Sequence, residues 1–269
     1  MSQPSTELAE LPRDDAITRL VAELGPRLYN VSLRMCGTPA EAEDLVQDIF
    51  LQAWRKWDQF EGRSKVSTWL YTIAARACQR KHRRKSGEPE ETLSLDGDLP
   101  SGEPLMAVIP AAGADAESEA LRAEAIERVQ CAIVQLPPEF RLVVIFKEVL
   151  GLSVAETAEA IGIKPETVKT RLHRARLRLR KEMVSCLPQQ DAPMPSYSQQ
   201  VCLDLLAAKQ EALDRGEASF PVAERDISAR CQSVAASLDL TQEACKQIAN
   251  GQLPAGFQQR LLEGIGAAT

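Results

Sequence analysis

The sequence predicts an all-α protein: two small helical domains joined by a flexible acidic linker, followed by a small helical C-terminal extension. Three observations carry that prediction. Nearly every patterned stretch of the 269 residues has apolar side chains at three- and four-residue intervals. Aromatics are only 4% of the chain against 44% apolar residues overall, a balance that suits small helical cores better than one large β core. Finally, two polar interruptions, the first rich in Pro and Gly and the second containing Pro and Gln, divide the pattern into three helical blocks.

The reading places a disordered N-terminus at 1–14, a first helical domain at 15–85, an acidic linker at 86–119, a second helical domain at 120–183, a joint at 184–200 and the extension at 201–269. In the first domain, Ile17 to Met35 reads as a helix or a broken pair, with Gly25 and Pro26 as the interruption. From Thr38 to Trp57 the stripe is Ala42, Leu45, Val46, Ile49, Phe50, Ala53, Trp54 and Trp57. Thr38, Pro39 and Glu41 supply an N-cap, a first-turn proline and the glutamate of a capping box. Residues 86–119 lose all periodicity and read as linker.

A helix follows from Leu121 to Leu136. Pro137-Pro138 restarts the chain, and Phe140 to Val149 forms an apolar helix ended by Gly151. Ser153 and Glu156 form a second capping box, Gly162 supplies a left-handed turn, and Pro165 opens another helix: the layout of a helix-turn-helix. Along that last helix Val168, Leu172, Ala175 and Leu179 form the packed seam, and Lys169, Arg171, Arg174 and Arg178 crowd the other faces. A cationic helix on a narrow apolar seam suits the major groove of DNA. In the extension, helical spacing recurs around Leu203, Leu206, Leu213, Val234 and Leu238.

Charge sharpens the functional reading. The chain has a net charge of −6, yet residues 51–85 carry +8 and residues 164–181 carry +7, while residues 182–269 carry −5. Two compact cationic blocks in an acidic chain point to two polyanion contacts. Seven of the twelve aromatics lie in or beside the first block, including Phe60, Trp69 and Tyr71. Rings interleaved with cations can stack unpaired bases, worth about 1–3 kcal/mol per base, while the cations hold phosphates. For Tyr29, Phe50 and Trp54, packing in the domain core is the favoured role.

No apolar run reaches eighteen residues, and the N-terminus lacks the regions of a signal peptide. Seven scattered cysteines without a C-x-x-C pair read as reduced thiols. The expected location is therefore the cytoplasm, with no membrane partner. His82 and His173 sit among Arg and Lys with no metal-ligand spacing, and no nucleotide-binding or nucleophile motif occurs. The sequence thus predicts no enzyme activity, no cofactor and no metal.

The run AEDLVQDIFLQAWRKWDQFEGRSKVSTWLYTIA resembles domain two of the extracytoplasmic-function (ECF) sigma factors of bacterial RNA polymerase, and LPPEFRLVVIFKEVLGLSVAETAEAIGIKPETVKTRLHRARLRLR resembles their domain four. The resemblance spans about residues 15–183. It implies a transcription initiation factor, of a kind tied to stress responses, whose partners are the β′ and β subunits of core RNA polymerase and promoter DNA, both duplex and melted strand. Asp44, Leu45, Val46, Gln47, Asp48, Phe50, Leu51 and Trp54 match the helix that docks on polymerase. Phe60, Arg63, Ser64, Lys65, Ser67, Thr68, Trp69, Tyr71, Thr72, Arg76 and Arg80 match the minus-ten reader. Pro165, Glu166, Thr167, Lys169, Thr170, Arg171, His173 and Arg174 match the minus-thirty-five reader.

Arg76 and Arg80 stand where the family usually carries Asn and Asp, which strengthens phosphate attraction and removes a base-reading group. Lys164 stands where a capping Ser is common. The competing reading is a helix-turn-helix regulator that works without polymerase, and it leaves the helix from Asp44 to Trp54 and its aromatic loop unexplained.

The extension lies beyond the resemblance. Its phrases CLDLLAAKQEALDRGE and DISARCQSVAASL faintly resemble the zinc-type domain of anti-sigma proteins, with Cys202 and Cys231 at ligand positions and Cys245 nearby. The paired His and the second Cys of a C-x-x-C are missing, so the three are expected to be small buried residues instead. The extension is expected to be a regulatory helical module that packs on the sigma domains or on a partner, giving self-inhibition beside, or in place of, a separate anti-sigma protein.

Overall fold

A computed structural model describes residues 11–62, 64–85, 105–111, 113–191, 193, 198–217 and 227–267. The expected disordered N-terminus through residue 10, the linker through residue 104 and Arg63 fall outside the described residues. Among the described residues the architecture is helical, apart from one small ribbon. No helix among the described residues is long and apolar enough to cross a membrane.

The chain forms two compact units. The first comprises Met1–Thr92, Ile145–Pro165 and Gln247–Thr269, and the second Leu93–Val144 and Glu166–Lys246. The extension is therefore divided: its last 23 residues belong to the first unit and the preceding part to the second.

In the first unit, α1 (Arg13–Cys36) and α2 (Pro39–Arg55) form an antiparallel pair across a tight turn at Gly37, whose left-handed φ of 88° lets its N–H return to the Leu33 carbonyl. The expected break at Gly25-Pro26 does not occur: α1 runs through Pro26. A mid-helix proline costs roughly 3 kcal/mol. The buried stripe of α1, including Leu20, Val21, Leu28 and Val31, offsets that cost by packing. The N-cap of α2 is as expected, with the Glu41 N–H donating to Thr38 Oγ1 at 3.4 Å, while the Glu41 carboxylate accepts from the Thr38 hydroxyl at 3.2 Å.

After a 3₁₀ turn (Trp57–Gln59), α3 (Val66–Lys85) packs on α2 and buries Leu70, Ile73, Ala74 and Ala77.

The second unit opens with β1 (Leu105–Ala107), inside the stretch expected to be linker. It pairs antiparallel with β2 (Gln189–Asp191), Met106 opposite Gln190, in the stretch expected to be a plain joint. A two-stranded ribbon is marginal alone. Here Ser233 Oγ donates to the Ala107 carbonyl at 2.7 Å and anchors it. Helix α4 (Ala116–Gln135) also begins inside the expected linker, because the Asp115 side chain caps it by accepting from the Ser118 N–H at 2.7 Å.

Helix α5 (Pro138–Val144) continues as a π turn (Ile145–Val149) whose residues return to the first unit. There α6 (Val154–Ile161) packs on α3. Its capping box is complete, with Ser153 Oγ accepting from the Glu156 N–H and Glu156 accepting from the Ser153 N–H. Gly162, at φ 78°, closes α6, and α7 (Pro165–Val184) begins three residues later, the element order of a helix-turn-helix.

In the second unit α7 buries Val168, Leu172, Ala175 and Leu179, the expected seam. From the extension, α8 (Gln199–Arg215) and α9 (Ala229–Gln247) contribute Leu213 and Leu238 to this core. Helix α10 (Phe257–Gly266) lies in the first unit against α1 and α2.

Candidate polymerase and nucleic-acid interfaces

The eight candidate polymerase contacts on α2 divide by helical phase. Leu45, Val46, Phe50 and Trp54 are buried, because a three- and four-residue repeat puts them on the packed side of the helix. Trp54 is further fixed: its indole N–H donates to Asp14 Oδ1 at 2.7 Å and the Arg13 guanidinium sits 3.8 Å from its ring centroid. Asp44, Gln47 and Asp48 are exposed and Leu51 is half-buried, so these four form the outward face.

The aromatic loop gathers three rings. Trp57 stacks on Phe60 at 5.8 Å, Trp69 meets Trp57 edge-on at 5.8 Å, and Phe60 lies 5.3 Å from Trp69. Trp57 is buried, while Phe60 and Trp69 are partly open. Beside the rings is an open cleft of about 310 Å³ lined by Leu11, Arg13, Trp57, Asp58 and Phe60.

Tyr71 departs from the expected arrangement. It is 3% exposed, shares a helix face with the buried Ala74, Ala75 and Cys78, and accepts a hydrogen bond from Arg27; burial pushes its hydroxyl pKa up against the opposing pull of that cation. A ring so enclosed has no face to offer a base, and its position one turn from Ala75 on the packed side of α3 explains why.

Of the remaining minus-ten candidates, Ser64, Lys65, Arg76 and Arg80 are exposed, and Ser67, Thr68 and Thr72 are half-buried. Arg80 pairs with Asp48 of α2 at 3.2 Å. The Thr68 hydroxyl and the Lys65 ammonium both face Glu156 of α6. The Ser153 backbone and hydroxyl first, and these two groups in addition, hold the Glu156 carboxyl below its usual pKa. The Gln79 amide donates to the Ile161 carbonyl at 2.8 Å, closing the other end of the α3–α6 contact.

On α7 the minus-thirty-five candidates form an outward strip. Pro165, Glu166, Lys169, Thr170 and Arg174 are exposed, and Thr167, Arg171 and His173 are intermediate.

His173 leads to residues that the sequence reading missed. Its Nε2 lies 3.1 Å from Asp214 Oδ2, and the other oxygen of Asp214 accepts from Arg176 Nη1 at 2.7 Å. Arg176, only 3% exposed, also donates to Gln210 Oε1 at 3.1 Å, and Arg180 Nε donates to Ser237 Oγ at 2.7 Å. Burial works against the Asp214 carboxylate, but the His173 ring and the Arg176 guanidinium outweigh it and hold its pKa below the ordinary value. Four-residue spacing puts Leu172, Arg176 and Arg180 in one row, so the row was visible in sequence, whereas partners 34 to 57 residues away were not.

The cysteines of the extension do not assemble a metal site: among the described residues no group of three His, Cys, Asp or Glu side chains could hold a metal ion. Cys245 is buried, and the Cys202 and Cys231 thiols are neighbours, Cys202 being raised in pKa by burial first and by Cys231 second.

Two family models match this chain in order: sigma-70 region 2 over residues 20–88 and sigma-70 region 4 over residues 126–179. Curated relatives include the ECF RNA polymerase sigma factor SigW of Bacillus subtilis, 34% identical over 169 residues that cover 63% of this chain and 89% of SigW. SigG of Mycobacterium tuberculosis is 32% identical over 188 residues, 65% of this chain, and the chain spans half of SigG's length. Similar solved structures include the sigma factor RpoE in complex with the anti-sigma factor NepR from Bartonella quintana, at 27% identity and TM-score 0.45, covering 63% of this chain and 96% of that one. Another is CnrH in complex with the cytosolic domain of CnrY, at 22% identity and TM-score 0.46, covering 67% and 95%. Two matched regions in the right order, together with this identity across nearly all of SigW, establish that the chain belongs to the ECF RNA polymerase sigma factors.

Proposed function

We propose that this protein binds core RNA polymerase, brings it to promoters with minus-ten and minus-thirty-five elements, and assists melting of the DNA, working in the cytoplasm as an initiation factor with no chemistry of its own. The observation that carries the reading is 34% identity across 89% of a curated ECF sigma factor, through both matched regions.

Within this reading each surface has a task. The outward face of α2, with Asp44, Gln47, Asp48 and Leu51, meets the polymerase, and the buried Leu45, Val46, Phe50 and Trp54 hold that face in shape. Phe60 and Trp69 supply ring faces for an unpaired base, and Lys65, Arg76 and Arg80 supply charge for the strand's phosphates. Lys169, Thr170, Arg171 and Arg174 of α7 meet the minus-thirty-five duplex, where an Arg can bridge two acceptors of a guanine or hold a phosphate.

The test is reconstitution: purified protein with core polymerase on fragmented genomic DNA, with the 5′ ends of the transcripts sequenced. A shared pair of elements upstream of those ends is the expected result. Failure to associate with core polymerase, or association without specific initiation, would refute the reading.

A further inference from the structure

Two thiols of the extension stand as a pair. Cys202 lies in the first turn of α8 and Cys231 in the first turn of α9, where the Cys231 N–H donates to Ser228 Oγ at 3.3 Å. The Cys202 S–H donates to the Cys231 sulfur, and the charge of Arg230 reaches the Cys202 side chain. Both cysteines are half-buried, so a small oxidant can reach a sulfur.

A second couple of neighbouring thiols, Cys36 and Cys78, shows what sets this one apart. Cys78 is buried, and burial first and Cys36 second push its pKa up to about 12, so it keeps its proton and stays inert. At Cys202 burial and the partner thiol raise the pKa too, but Arg230 works against them. Attack by Cys202 on an oxidant is therefore slow, yet once either sulfur is oxidised its partner is already in contact, and closure is intramolecular.

The place of the pair in the fold gives oxidation a consequence. Helices α8 and α9 hold the buried arginines of α7: Asp214 of α8 accepts from Arg176 at 2.7 Å, and Ser237 of α9 accepts from Arg180 at 2.7 Å. Lys209, 1% exposed, ties α8 to Asp239 of α9 at 2.7 Å. A covalent link between residues 202 and 231 closes a loop of about thirty residues, which restricts the unfolded chain and keeps the two helices together when their polar contacts open.

We propose that Cys202 and Cys231 are a reversible disulfide site for hydrogen peroxide, and that the bond staples α8 to α9 and stiffens the frame that holds α7. The peroxide O–O bond breaks as one thiol becomes a sulfenic acid, and water leaves. The second thiol then attacks that sulfur, the S–S bond forms, and the sulfenic oxygen departs as a second water. The two thiols have lost two protons and two electrons, and the peroxide has become two waters. Thiol–disulfide exchange with a small dithiol restores the starting state. The assignment goes beyond the initiation role and stands without it.

The experiment treats reduced full-length protein with hydrogen peroxide, blocks the remaining thiols with iodoacetamide, and maps the peptides by mass spectrometry with and without dithiothreitol. The expected product is a linked Cys202–Cys231 peptide, lighter by two hydrogens than its two parts and absent after dithiothreitol. The melting temperature of the oxidised protein should rise by about 5 °C or more, and amide exchange in α8 and α9 should slow. Cys202→Ser and Cys231→Ser should lose the linked peptide and the rise, with a dimedone adduct on the sulfur that remains. The mapping is read on the parent, so it decides the matter even where a serine variant misfolds. Recovery of both thiols alkylated, oxidation to sulfinic acid without a link, or a link to another cysteine overturns the site. A link that leaves melting and exchange unchanged overturns the stapling role.

Discussion

Asp214 has one oxygen toward His173 and the other toward Arg176, and the pair with Arg176 is almost fully enclosed, at 3% and 4% side-chain exposure. Removing one partner of such a pair leaves an uncompensated charge in low dielectric, at a cost of about 3–5 kcal/mol. Asp214→Asn keeps the volume and loses the charge, so a thermal melt should show a destabilisation of that size. The pH dependence follows from the direction of the shift. The folded chain holds the Asp214 pKa below its unfolded value, so the stabilisation is complete above the ordinary carboxylate range, near about pH 4, and fades as pH falls through the folded value. The parent should therefore lose more stability than Asp214→Asn on acidification from about pH 5 to about pH 3. Arg174 is the contrasting case, exposed on the same helix. With Arg174→Ala, promoter affinity of the holoenzyme should fall and its salt slope should drop by about 1 if the side chain holds a phosphate. An unchanged slope with relaxed sequence choice would assign it to a base instead. Arg174 was readable as an outward cation from periodicity alone, whereas Arg176, two residues on, has its role set by a carboxylate 38 residues away that no local pattern announces.

Among the elements, those with local determinants were the legible ones. Thr38 with Glu41 and Ser153 with Glu156 start α2 and α6 where capping chemistry requires, and Gly162 ends α6 at the position where a left-handed residue is needed. Pro26 misled for the opposite reason: a local breaker was outweighed by the packing of α1 on its neighbours, which sequence spacing does not reveal. The same holds for β1, which depends on β2 some eighty residues later and on Ser233. Position also decided Tyr71, whose cationic neighbourhood suggested a DNA contact although the helix turns it inward. The α6 cap gives a clean measurement at this scale. Ser153→Ala should destabilise the protein by about 1 kcal/mol in chemical denaturation, since one of two reciprocal hydrogen bonds is lost.

At the scale of the molecule, the acidic extension is shared between two contact units, a division that composition could not show, since residues 182–269 read as one net-negative block. Amide exchange can check the division directly. Asp214→Asn should speed exchange in α8 and α9 and leave α10 unchanged, whereas Phe257→Asp should do the reverse; joint loss of protection in both variants would mean a single cooperative extension. The order of these segments along the chain has a temporal consequence. Helix α2 ends at residue 55 and α10 begins only at residue 257, so at roughly 5–20 residues per second a ribosome takes about 10–40 s to travel between them. Each newborn molecule thus passes through an interval in which α1 and α2 have been made and the helix that packs against them has not, so the apolar seat of Phe257, Leu261 and Ile265 stays open until translation is nearly done.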